Sequence, residues 1–151
     1  MRKATIAALL FALPLALAAC SGGKPDAAPQ LALQPILYFD VTQNKLYGSG
    51  CNFVPSNGGM GAVFLAQAER GLIKVDDHIV DIPLAPDATP LPQGAHTRYA
   101  GPLYSAALTP VPGGKPKTMG VITVFPAHLV IADAKRQPIY DATGDAQCKP
   151  M

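Results

Sequence analysis

A chain of 151 residues with 12 Lys and Arg against 10 Asp and Glu carries a formal charge of +2. It is long enough for one domain with a substantial core, but too short for two once the N-terminal segment is set apart. Arg2 and Lys3 account for the whole excess charge, so residues 20–151 are formally neutral. Their nearest approach to a basic cluster is Lys115, Lys117, Lys135 and Arg136 in two predicted turns. That lacks the electrostatic footprint of phosphate-backbone binding and excludes nucleic acid as a partner.

In chain order the first feature is an apolar run, Ala4 to Ala19, interrupted only by Thr5 and Pro14 and preceded by Arg2 and Lys3. Charge followed by an apolar run is the order of a secretory signal, and residues 1–19 are read as one. The run falls short of the roughly 20 residues a bilayer core requires, and Pro14 would disturb a helix at its middle. Leu17-Ala18-Ala19-Cys20, followed by Ser21-Gly22-Gly23, resembles the lipobox of bacterial lipoproteins, in which a leucine and two small residues precede an obligatory cysteine. The resemblance spans about 20 residues and implies a processing route. The signal is cut before Cys20, a diacylglyceryl group is attached to its sulfur, and its freed amine is acylated. The competing reading is an ordinary signal cut after Ala16-Leu17-Ala18, which leaves Cys20 an incidental thiol. Two or three acyl chains hold a protein stably at a bilayer, because each buried methylene contributes about 0.8 kcal/mol. By analogy with enterobacterial lipoproteins, Ser21 rather than Asp after the cysteine implies an outer-membrane anchor facing the periplasm.

The stretch SGGKPDAAPQLALQP, rich in Gly, Pro and Ala, predicts a lipidated N-terminus and flexible tether over residues 20–35. A single domain over 36–151 follows. Its apolar runs are short and bounded by Pro, Gly, Asp and Asn, which predicts strands. The expected strands are Ile36 to Val41, Ala62 to Ala68, Leu72 to Val75, His78 to Leu84, Thr97 to Tyr99, Tyr104 to Thr109, Thr118 to Phe125, Leu129 to Ala132, and Pro138 to Ala142 with an extension to Cys148. Asp76-Asp77 between two alternating runs is a hairpin signal, and VPGGKPK and AKRQ are further turns. Only Ala62 to Gly71 could pass for a helix, and its aromatic and β-branched residues favour strand. The expected fold is all-β, a small antiparallel barrel or sandwich of about seven or eight short strands. This order of strands is similar in architecture to the small β-barrel lipoproteins of the periplasm, including lysozyme-inhibitor and META-like domains. No motif residue matches them, and no site is carried over.

With Cys20 committed to lipid, Cys51 and Cys148 remain as an even pair in a compartment that permits disulfides, and they are expected to be bonded. No C-x-x-C or second ligand pair suggests a metal or redox site instead.

G-x-S-x-G, H-E-x-x-H, P-loop and dinucleotide-binding motifs do not occur. Ser49 stands in a Gly-rich turn, Tyr47 to Cys51, whose glycines flank it directly, and it reads as a loop serine. His78, His96 and His128 are dispersed; only the fold could bring them together with Asp76, Asp77 or Asp81. No catalytic residue, metal or cofactor is therefore expected. Two stretches offer candidate partner contacts. The loop Asn52 to Gly61 carries Phe53 and Met60, and the turn Tyr99 to Tyr104 carries its two tyrosines. The leading expectation is a membrane-anchored, non-enzymatic lipoprotein of the bacterial envelope that binds an envelope protein or component, in a protective or assembly role. A small hydrolase or metal-dependent enzyme using converging His and Asp residues is the second, and a purely structural envelope lipoprotein the third.

Overall fold

The two-residue alternation of the later runs places every second side chain on one face of a sheet, and a sheet with one apolar face must cover it. The computed structural model describes residues 30–150. It meets that requirement by curling one sheet on itself. The strands are β1 (Gly50–Pro55), β2 (Phe64–Gln67), β3 (Arg70–Val75), β4 (His78–Pro83), β5 (Arg98–Ala100), β6 (Tyr104–Pro110), β7 (Lys117–Met119), β8 (Ile122–Asp133) and β9 (Pro138–Lys149). All pairings are antiparallel, in the order β4-β3-β2-β1-β9-β8-β6-β5, with β7 a short flap on β8. A bridge between Leu84 and Tyr99 joins the two edges, and Ala85 N–H donates to the Arg98 carbonyl at 3.2 Å. The result is a nearly closed barrel, the all-β class expected from the sequence. The signal, Cys20 and residues 20–29 of the predicted tether lie outside the described residues.

The barrel interior is filled by side chains rather than by a channel. Phe53, Phe64, Ile73, Ile82, Tyr99, Leu108, Phe125, Leu129 and Ile131 are buried there. Phe64 and Tyr99 meet edge to face, with ring centroids 5.7 Å apart. Gly71 leaves room for this pair, since a Cβ at that position would sit 2.7 Å from the Phe64 ring. Leu31 and Leu33 pack on this core at the end of the barrel where β3 turns into β4, and Leu91 and the buried Ala95 pack on it from the loop between β4 and β5.

The hairpin from β3 to β4 turns through Asp76 and Asp77, both at positive φ (48° and 62°), the conformation such a two-residue turn requires. Elsewhere the structure departs from the sequence-based expectation. Ile36 to Val41 is not a strand: Tyr38–Gln43 form a short helix, α1. Its geometry is fixed from outside, because the Asp40 carboxylate accepts the Leu37 N–H at 2.8 Å and is itself held by Lys74 of β3 at 2.9 Å. Leu31 to Pro35, assigned by composition to the tether, lie on the barrel. Leu31 N–H donates to the Ile139 carbonyl at 2.6 Å and Gln34 N–H to the Lys74 carbonyl at 3.0 Å. Asn52 to Pro55, read as part of a loop, belong to β1. The predicted strand Thr118 to Phe125 breaks at Gly120 (φ 61°), and its second half runs on through Pro126 into β8. Pro126 is tolerated because its carbonyl accepts from Val111 N–H at 2.9 Å. Its nitrogen therefore faces the same side, where pairing with β6 has ended at Ala127, so no ladder donor is missed.

Candidate functional site

Among the described residues, the barrel has a second apolar layer on one side. On β2 and β3, Leu65 and Leu72 point outward yet are buried, because Ile36, Val41 and Leu46 of the segment carrying α1 pack over them. This covering is fastened by buried polar contacts. Gln67 Nε2 donates to the Leu46 carbonyl at 2.8 Å, while its Oε1 accepts from Arg70 Nε at 3.2 Å. The Asp40–Lys74 pair, at 2.9 Å with both side chains largely shielded, is the second fastening. The Leu37 N–H and the Lys74 ammonium together hold the Asp40 carboxyl below its ordinary range, outweighing the opposing effect of burial.

Between this cover and β1 lies a cavity of about 310 Å³, lined by Leu37, Tyr38, Leu46, Tyr47, Leu65 and Lys149 among others. Its floor belongs to the second core, and its rim is apolar side chain left in solvent. On that rim Tyr38 is 82% exposed, Leu37 55% and Tyr47 51%, and Phe39, next in sequence on α1 but outside the cavity lining, is 68% exposed. Three successive apolar residues on one exposed helical turn are unusual for a surface with no partner. Lys45 and Lys149 are exposed nearby, and Asp40, the sole acidic residue between Ile36 and Val54, is already paired. The face can hold an apolar or aromatic group beside a negative charge.

The contacts expected from the sequence divide differently. Phe53 is wholly buried in the barrel, not presented by a loop. Tyr99 is buried too: its hydroxyl donates to the Gln67 carbonyl at 2.6 Å and accepts the His96 N–H at 2.9 Å, and burial pushes its pKa up to about 12. Both were candidate partner contacts, and both are core, because alternation on β1 and β5 turns them inward. Tyr104 is half-buried against the same core. Met60 alone stands free, 99% exposed.

The histidines occupy separate elements. His78 begins β4, with Nδ1 2.6 Å from the Asp76 carbonyl. His96 precedes β5, and its Nδ1 is buried without a hydrogen-bond partner. His128, midway along β8, meets Asp141 of β9 at 2.6 Å on the outer surface. Of the candidate aspartates, Asp81 pairs with Arg70 at 2.9 Å and Asp77 accepts from Gln34 Nε2 at 3.1 Å. Among the described residues no three His, Cys, Asp or Glu side chains are grouped to hold a metal ion. Ser49 borders a separate surface hollow with Gln67, Arg70 and Gln93. Cys51 and Cys148 are bonded, as direct partners in the β1–β9 ladder with Cα atoms 3.9 Å apart.

The exposed face on α1 escaped the sequence reading because Leu37-Tyr38-Phe39 was assigned to a strand. A signal was available in Phe64-Leu65-Ala66 and Leu72-Ile73, where apolar residues do not alternate with polar ones. A strand apolar on both sides needs cover on both sides. Compared with known proteins, the chain matches no known family, no curated sequence and no solved structure.

Proposed function

We propose that the protein is a lipid-anchored lipoprotein of the bacterial envelope, held at the outer membrane and facing the periplasm, and that its barrel acts by binding an envelope component rather than by catalysis. The observation that carries the binding reading is the exposed rim of Leu37, Tyr38 and Tyr47 around a preformed apolar cavity, with exposed Phe39 beside it on α1. Water is a poor solvent for such a rim, and the helix bearing it is fastened by a buried ion pair, so the surface is offered without reorganisation. The anchored reading rests on the lipobox, Leu17 to Cys20. The Cys51–Cys148 disulfide supports it, since disulfides persist in oxidising compartments such as the periplasm. With the histidines on separate elements, a His-based hydrolase has less support.

The anchor is tested by the intact mass and membrane partition of the exported protein. Wild type is expected in the membrane fraction with an acylated Cys20 as its first residue. Cys20→Ser is expected to lose acylation and normal processing while its barrel still folds and forms the disulfide. Acyl groups retained on Cys20→Ser would refute the lipid assignment.

A further inference from the structure

We infer that the component met by the α1 face is the bilayer surface itself: Leu37, Tyr38 and Phe39 lie in the headgroup and acyl boundary of the membrane to which the chain is anchored. This rests on the proposed lipidation of Cys20 and specifies what the exposed face does. Three observations support it. First, the chain keeps the face within reach of the anchor. Ten peptide units separate Cys20 from Gln30 and span at most about 35 Å when fully extended. Leu37 follows within seven residues, over a stretch pinned to the barrel by Gln34 N–H to the Lys74 carbonyl at 3.0 Å and Ile36 N–H to the Ala62 carbonyl at 2.8 Å. Second, the residues have interfacial chemistry. Tyr presents an apolar ring with a polar tip, Leu and Phe supply apolar bulk, and a helix face of this kind settles about 5–10 Å into the boundary. Third, the charge around the face suits anionic headgroups. Lys45 and Lys149 are exposed, and the Asp40 carboxylate is turned inward onto Lys74 at 2.9 Å. Even a face with weak intrinsic affinity would stay seated, because the anchor makes its encounter with the bilayer intramolecular.

The chain contains no Trp, so a single introduced indole reports without background. The lipidated full mature protein carrying Tyr38→Trp would be reconstituted into vesicles of phosphatidylethanolamine and phosphatidylglycerol, with or without bromine on the acyl chains. The comparison protein carries Val130→Trp, on the outer face of β8. The expected result is a blue-shifted Tyr38→Trp emission quenched roughly twofold by brominated lipid, as befits a ring about 5–10 Å into the boundary, with Val130→Trp unquenched. Lys45→Gln added to Tyr38→Trp should weaken the quenching in vesicles rich in phosphatidylglycerol. With acylated Cys20 verified by mass, equal or absent quenching at the two positions overturns the inference and leaves the anchor standing. A blue-shifted Tyr38→Trp emission insensitive to bromine assigns the face to a second copy and overturns it likewise. An unacylated mass overturns the anchored reading, and the inference with it.

Discussion

The two halves of this barrel solve the same problem in different ways. On β8 and β9 the outward positions include His128, Val130, Asp141 and Thr143, and among the described residues no second layer covers them. On β2 and β3 the outward positions are Leu65 and Leu72, and the stretch from Ile36 to Leu46 is laid over them. The inner faces are alike: Phe125, Ala127, Leu129 and Ile131 on one half, Phe64, Ala66 and Ile73 on the other, all buried. Whether a strand alternates or is apolar on both faces therefore tells where a second layer must be found, and a second layer has an outside of its own. Here that outside is the aromatic rim of α1.

The disulfide stands at the border between the halves, since Cys51 belongs to β1 of the covered half and Cys148 to β9 of the bare one. Breaking it gives the largest expected effect. For a closed loop of about 100 residues, the chain-entropy account predicts a loss of about 4–5 kcal/mol, measured as a drop in the urea midpoint on reduction. If the midpoint is unchanged by reductant, the border does not depend on the bond. Next comes a matched pair of truncations. Leu72→Ala on the covered face should cost about 3 kcal/mol, within the usual range for a buried leucine, and Val130→Ala on the bare face less than about 1. Equal costs in thermal or urea unfolding would mean that the cover contributes nothing. The smallest contrast is between the ion pairs. Asp40→Asn removes a shielded, charge-assisted contact and should cost about 1.5–3 kcal/mol. Asp141→Asn, which leaves His128 in solvent, should cost less than about 1. The Asp40 carboxyl is depressed from its ordinary 3.8, so its contribution is present above that value and is lost as pH falls through the lower folded one. Stability of the wild type should decline across that acid window more than that of Asp40→Asn, and parallel pH profiles would count against the pair.

Much of the barrel is legible in the sequence. The Asp76-Asp77 turn, the hairpin through Ala134 to Gln137 and the pairing of Cys51 with Cys148 each follow from local chemistry or from counting. What was not legible depends on partners distant in sequence. α1 is a helix because Lys74 and the outward leucines of β2 and β3 hold it, and nothing in Tyr38 to Gln43 announces them. β1 was mistaken for a loop because Gly50, Asn52 and Pro55 are poor strand formers that gain their conformation from β2 and β9 on either side. Phe53 and Tyr99 were judged able to reach a partner because an aromatic residue next to a turn looks the same in sequence whether it faces in or out. The exposed face of α1 was missed for the same reason as the helix. Cys20, the most definite motif in the sequence, lies outside the described residues and rests on its lipobox.

The position of β9 has a consequence for how the protein comes into being. β9, the last of these strands in sequence, lies between β1 and β8, in the middle of the sheet rather than at its edge. A nascent chain that has reached Gln137 holds β1 to β8 and can join its two halves only at the Leu84–Tyr99 bridge. It exposes the apolar sides of both until Pro138 to Lys149 arrive, and the pairing of β1 with β9, the longest-range in the sheet, forms last. Such a topology postpones closure between β1 and β8 until Lys149 has been made. Removing β9 would open the barrel between β1 and β8, leaving its halves joined only at the Leu84–Tyr99 bridge, rather than trim an edge.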